Sequence, residues 1–186
     1  MISREEAFDW LKEEIKEPNL LKHCLATEAA MKSLALRFGE DESMWGLTGL
    51  LHDIDYEATK DNESEHSLKG FQMLIDKGLG TDIAEAVKTH NDIHGLPPVT
   101  LMAKAIYCVD SLTGLIVATT LVLPSRKIKD VQTENVLRRF KEKGFARGVN
   151  RPNILKCNEL LGISLDEFIT ITLQAMQAID ESLGLA

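Results

Sequence analysis

In the stretch Leu50-Leu51-His52-Asp53-Ile54-Asp55, an imidazole and two carboxylates follow an apolar run. The chain has only five histidines: His23, His52, His66, His90 and His94. One further carboxylate, Asp110, shares a helical stripe with Ala103, Ile106, Tyr107, Thr113, Gly114 and Val117, all apolar or small apart from Tyr and Thr. Burying an unpaired charge is strongly unfavourable, so an inward Asp110 has to be paired, protonated or bound to a metal. No Lys or Arg on its own helix face is placed to neutralise it, since Lys104 is six residues back and points elsewhere. Several imidazoles and two inward carboxylates together suit Fe, Mn, Co, Ni or Zn, and the lack of accompanying thiolates argues against a structural zinc knot.

The elements that must position these groups are helices. Apolar residues recur at offsets of three, four and seven nearly throughout, and no region alternates with period two. The spacing predicts a first helix through Phe8, Leu11 and Ile15, closed near Pro18, and a second from about Leu20 to Phe38, ended by Gly39. A third runs from Glu42 to His52. The polar stretch Glu57–Glu65 reads as a loop, with Ser64 as an N-cap for a helix over His66–Lys77. Further helices are expected over Asp82–His90 with Thr81 as cap, Val99–Leu121, Thr133–Lys143 and Leu165–Leu183. The last opens on Ser164-Leu165-Asp166-Glu167, which fits a capping box. On this scheme His23 faces with Ala26, Thr27 and Ala30, His66 with Gly70, Met73 and Leu74, and His90 with Ile83, Ala86 and Val87. The fold class is all-α, and 186 residues with short linkers suggest one domain.

Composition narrows the partners. The net charge of −8 argues against general binding to nucleic acid or anionic membranes. Between Arg126 and Arg151, however, nine basic residues face three acidic ones, leaving −14 on the remainder. Arg138, Lys141, Lys143, Arg147 and Arg151 in this segment are therefore candidate contacts for an anionic substrate, with His94 as a further candidate in its turn-rich loop. The longest uncharged stretch, Ser111–Ser125, falls short of the ~20 residues of a spanning helix. The charged N-terminus lacks the apolar centre of a signal peptide. Cys24, Cys108 and Cys157 form no CxxC pair and are too few for a disulfide framework, so Cys24 and Cys108 are expected as buried thiols. A cytoplasmic location is the corresponding expectation.

The order His23, His52-Asp53, His66, His90, Asp110 resembles the HD-domain superfamily of metal-dependent phosphohydrolases. Its basic pattern is H…HD…D, carried by His23, His52, Asp53 and Asp110, and the likeness covers about residues 20–120. The two extra histidines match the H…HD…H…H…D pattern of the binuclear, HDIG-type branch. That resemblance implies a helical bundle of about five core helices holding one or two divalent transition-metal ions. It implies that His23, His52 and Asp110 hold one ion, His66 and His90 the second, and that Asp53 bridges them. The remaining helices, about 125–186, would complete the domain. Asp55 is expected as a proton acceptor or as a partner of a ligand. The implied activity is hydrolysis of a phosphoester or phosphoanhydride of a small molecule, such as a nucleotide. The Ala105–Asp110 stretch is similar to the last-ligand helix of the subgroup that cleaves diadenosine tetraphosphate, but the C-terminal third departs from it. Two alternatives stay open at this point: a di-iron oxygenase of the same superfamily, and a non-catalytic metal-containing sensing module.

Overall fold

The computed structural model describes residues 2–186, and among them there are helices and no strands. The helices are α1 (Arg4–Glu14), α2 (Pro18–Phe38), α3 (Glu42–Leu51), α4 (Tyr56–Thr59), α5 (Leu68–Asp76), α6 (Thr81–His90), α7 (Leu101–Leu121), α8 (Thr133–Lys141), α9 (Arg151–Leu155), α10 (Cys157–Leu161), α11 (Leu165–Gln177) and α12 (Asp180–Leu183). Single 3-10 turns lie at Asp92–His94 and Ile128–Asp130.

Local chemistry explains the main boundaries. Pro18 opens α2, where its missing N–H costs nothing, and Gly39 closes it in the left-handed conformation. Asp41 caps α3 by accepting from the Met44 N–H, and Thr100 caps α7 by accepting from the Ala103 N–H. Ser164 accepts from the Glu167 N–H as a capping box requires, while the Glu167 carboxylate pairs with Arg37. The centre of the molecule is α7, whose Leu112, Leu115 and Ile116 are fully buried, with α2, α6, α8, α9, α10 and α11 packed on it. Helix α7 is long and apolar enough to cross a membrane by length and composition, although most of its apolar window is buried within the protein. Cys24, Cys108 and Cys157 are all buried free thiols.

Several sequence expectations change. His66 is not on a helix: it lies in a run of turns that continues through Ser67, and α5 begins only at Leu68. Ser64 does not cap that helix, because its hydroxyl donates to the Asn62 side chain instead. Thr81 is the first residue of α6 rather than its cap. The expected helix through Leu183 breaks after Gln177 and resumes as α12, and the five-residue helices α9 and α10 were not anticipated. Two turns or fewer carry too little periodicity to stand out from a loop.

The pair that most directly shapes the site is α2 against α3, which approach so closely at Gly49 that a Cβ there would lie 2.6 Å from the Thr27 carbonyl oxygen and 2.9 Å from the Glu28 Cα. Both neighbours are backbone atoms and cannot swing aside. Gly49→Ala is expected to lower stability by about 1–3 kcal/mol through overpacking, overriding the ~1 kcal/mol gain in helix propensity. Chemical denaturation checks this, and an unchanged or raised midpoint would contradict it.

Candidate metal centre

The elements deliver the six predicted ligand residues to one place. His23 projects from the second turn of α2, and His52 caps the C-terminal end of α3 with Asp53 following it. His66 comes from the turn ahead of α5, His90 is the last residue of α6, and Asp110 lies midway along α7. The His23 Nε2 is 3.1 Å from the His52 Nε2 and 3.0 Å from the Asp110 Oδ1. His52 Nε2 is 3.6 Å from the same Asp110 oxygen. Asp53 faces both ways. Its Oδ2 lies 3.6 Å from His23 Nε2 and 3.4 Å from His52 Nε2, while its Oδ1 lies 3.3 Å from His66 Nε2 and 3.5 Å from His90 Nε2. Adjacent ligand atoms bound at ~2.0–2.2 Å to one ion sit roughly 2.8–3.6 Å apart, so these spacings fit ligand-to-ligand edges.

The outer nitrogens settle how the rings are turned. His52 Nδ1 lies 2.8 Å from the Gly49 carbonyl, and His90 Nδ1 lies 2.6 Å from the Val87 carbonyl. Carbonyl oxygens only accept, so both Nδ1 atoms carry protons. His66 Nδ1 donates to Asp55 Oδ1 at 2.9 Å. Thr113 spends its hydroxyl proton on the Asp110 carbonyl at 2.8 Å, so its oxygen accepts from His23 Nδ1 at 3.1 Å. Once neutral, each ring therefore turns a bare Nε2 lone pair inward, the arrangement that metal-ligating histidines adopt.

The electrostatics favour a cation in the same place. Burial alone would lower the His52 pKa, but Asp53 and Asp110 outweigh it and hold the ring well above its usual value. His66 likewise rises to about 9: burial works against the charged form, and the hydrogen bonds to Asp53 and Asp55 prevail. Burial would raise the Asp53 carboxyl, yet His52, His66 and His90 bring it well below the ordinary range. Asp110 falls too, against its burial, through His23 and His52. Two ligand sets, His23–His52–Asp110 and His52–Asp53–His90, bring their donor atoms close enough to hold an ion.

Comparison with known proteins agrees with this geometry. The HD domain family matches residues 20–115, more than half of the chain and nearly the stretch over which the ligands are distributed. The chain belongs to the HD-domain family. Curated relatives include ribonuclease Y from Nitratidesulfovibrio vulgaris strain DP4, 32% identical over 96 residues, and ribonuclease Y from Protochlamydia amoebophila, 26% identical over 96 residues. In both cases the matched stretch is 52% of this chain but only 18% of the relative, so the likeness is to the HD portion of much longer proteins.

Within this HD fold, Asp55 is a positioning residue. It is fully buried, and its two oxygens accept from His66 Nδ1, from the Ser67 N–H at 2.8 Å and from the Gly70 N–H at 2.7 Å. A Cβ on Gly70 would lie 3.2 Å from the Asp55 carboxyl, so the glycine lets the carboxylate seat against the α5 backbone. Ser67 itself has φ +70°, a conformation that non-glycine residues rarely adopt, and its hydroxyl donates to the Lys88 carbonyl. Of the two roles expected of Asp55, these contacts behind His66 fit that of a partner orienting a ligand. His94 likewise engages the backbone, donating through Nε2 to the His66 carbonyl at 2.7 Å, and does not line the cleft.

The HD cleft in front of the ligands has a volume of about 480 Å³. The basic segment does not furnish its charge. Arg138, Lys141, Lys143 and Arg147 are exposed and line no part of it. Arg151 reaches inward only to structure: its guanidinium donates to the carbonyls of Phe140, Phe145, Ala146, Glu142 and Arg139. That contact closes the end of α8 and holds the loop whose Gly148, Val149 and Asn150 border the cleft. Away from the ligands the lining is mostly uncharged and polar, with Tyr56, Asn91, Ser111, Asn150 and Asn153, joined by Glu63 and by Asp92, which accepts from the Asn150 side chain at 2.9 Å. Apart from Ser111, which lies on α7 beside Asp110, these residues sit in loops and short helices, where no periodicity points to a face. The one available signal was the density of Asn and Asp between Asn91 and Asp92 and again at Asn150–Asn153.

A raised His66 pKa couples cation uptake to proton release. His66, and His52 with it, must lose a proton to become a ligand, so apparent affinity should rise as pH increases, the His66 contribution ending above about 9. Metal titration calorimetry from pH 6.5 to 9.5 in buffers of different ionisation enthalpy would show proton release and up to a tenfold gain per pH unit for each proton released. An affinity flat with pH would contradict the assignment of His66.

Proposed function

We propose that this protein is a metal-dependent phosphohydrolase acting on a phosphoester or phosphoanhydride of a small molecule, with two divalent cations on either side of Asp53. The observation carrying this is the pairing of the two Asp53 oxygens with different histidine pairs, His23 and His52 on one side, His66 and His90 on the other. Cations held there would supply Lewis acidity and neutralise charge developing on the phosphorus oxygens. The chain's own contribution is positional. His23, His52 and Asp110 hold one cluster, Asp53 ties it to the second, and Asp55 keeps His66 in line. Asn91, Ser111, Asn150 and Asn153 offer neutral hydrogen-bond donors to the rest of the substrate across the cleft.

A small-molecule ester suits the cleft better than an RNA strand. No Lys or Arg lines it, and the chain carries a charge of −8, whereas a strand binder needs a cationic track for successive phosphates. The likeness to ribonuclease Y supports the shared hydrolytic class rather than the same substrate.

His52→Ala and Asp53→Ala should each reduce metal-dependent hydrolysis at least a thousandfold while the far-ultraviolet circular dichroism of the helices persists. The assay is a panel of aryl phosphates, nucleotides and a short RNA, with added Mn, Fe, Co, Ni or Zn. Activity retained in either variant would contradict the proposal, and RNA as the preferred substrate would overturn its small-molecule part.

A further inference from the structure

A second cavity, of about 370 Å³, opens beside the metal centre and differs from the cleft in chemistry. Its walls are largely apolar, with Ala26, Val117, Leu121, Leu183 and Leu185, and Lys22 stands among its few polar groups. His23 and Gly114 line both spaces, so the two adjoin along α7 beside the ligand cluster. Gly114 is the junction. It lies inside a 21-residue helix, where glycine weakens the helix, yet a Cβ there would meet nothing within 4 Å. No neighbour demands a glycine, and its effect is to leave the helix surface bare between cleft and cavity. Leu121 remains 45% exposed there, apolar surface available for a ligand to cover.

We infer that this cavity is a substrate subsite that receives the uncharged aromatic part of a phosphoester whose phosphate lies at the metal centre. The inference rests on the phosphohydrolase reading above and adds a substrate class to it. Because the cavity adjoins the cleft at the exposed, side-chain-free Gly114, one ligand can reach both spaces. A flat glycine surface bordered by the His23 imidazole admits a planar ring more readily than a branched chain. The size of the cavity falls within the range of small-molecule sites, and its apolar lining favours a group that leaves water. The polar cleft and the apolar cavity would thus divide an amphiphilic ester, head at the metals and ring beyond Gly114.

The test compares phenylphosphonate with methylphosphonate, which share an anionic head, by isothermal titration into the Mn-loaded full chain. The wild type should bind phenylphosphonate at least tenfold more tightly. Gly114→Leu, which raises helix propensity and fills the passage, should reduce that ratio below threefold. Should that variant not fold, Leu121→Glu at the exposed mouth should have the same effect. A wild-type ratio below threefold, or a preference that survives in a folded variant, would overturn the subsite while leaving the head-group reading intact. If neither phosphonate binds to metal-loaded protein, the phosphohydrolase reading fails and the subsite falls with it.

Discussion

One buried carboxylate governs the arrangement of this protein. Asp53 is 6% exposed, and each of its oxygens has imidazole nitrogens from two different elements within 3.6 Å. A charge so far from water is tolerable only beside compensating positive charge, from protonated imidazoles or a bound cation. Four rings surround it, and once they shed their inward protons, with their outer nitrogens engaged as donors, the Nε2 lone pairs leave a place that attracts a cation. Much of the surrounding architecture serves that requirement: helices α2, α3, α6 and α7 each bring one ligand or end on one.

Rigidity comes from contacts outside the cluster. The carbonyls of Gly49 and Val87 fix His52 and His90 from their own helix ends, so those rings are set by backbone rather than by flexible side chains. Thr113 links His23 to the α7 backbone one turn after Asp110. His66 lacks a helix of its own and depends on the buried Asp55, which is itself held by the amides that open α5. The close crossing at Gly49 belongs to the same logic, because any added bulk there would separate the helices that carry His23 and His52.

His23, His52, His90 and Asp110 were legible in the sequence for a physical reason: they lie on or directly cap long helices, where an inward polar residue interrupts an apolar stripe. The all-α class and the approximate bounds of α2, α3 and α7 followed from the same periodicity, with Pro18 ending the first helix and Gly39 the second. His66 was found by its order in the family pattern, while its helical placement was wrong because turn geometry at Ser67 leaves no periodic trace. Arg151 was read as a substrate contact because a cluster of positive charge looks alike whether it faces an anion or five backbone carbonyls. The polar wall at Asn150 and Asn153 and the helices α9 and α10 depend on long-range packing that a single sequence does not display.

Membership in the HD family and the inward imidazoles converge on a metal-dependent hydrolase fold, and the proposed chemistry turns on Asp53 joining two ligand groups. Anomalous diffraction from crystals of the chain soaked in Mn or Fe, recorded on both sides of the metal's absorption edge, examines that directly. The account predicts two peaks, one among His23, His52, Asp53 and Asp110 and one among Asp53, His66 and His90. A single peak remote from Asp53, or none at saturating metal, would contradict it.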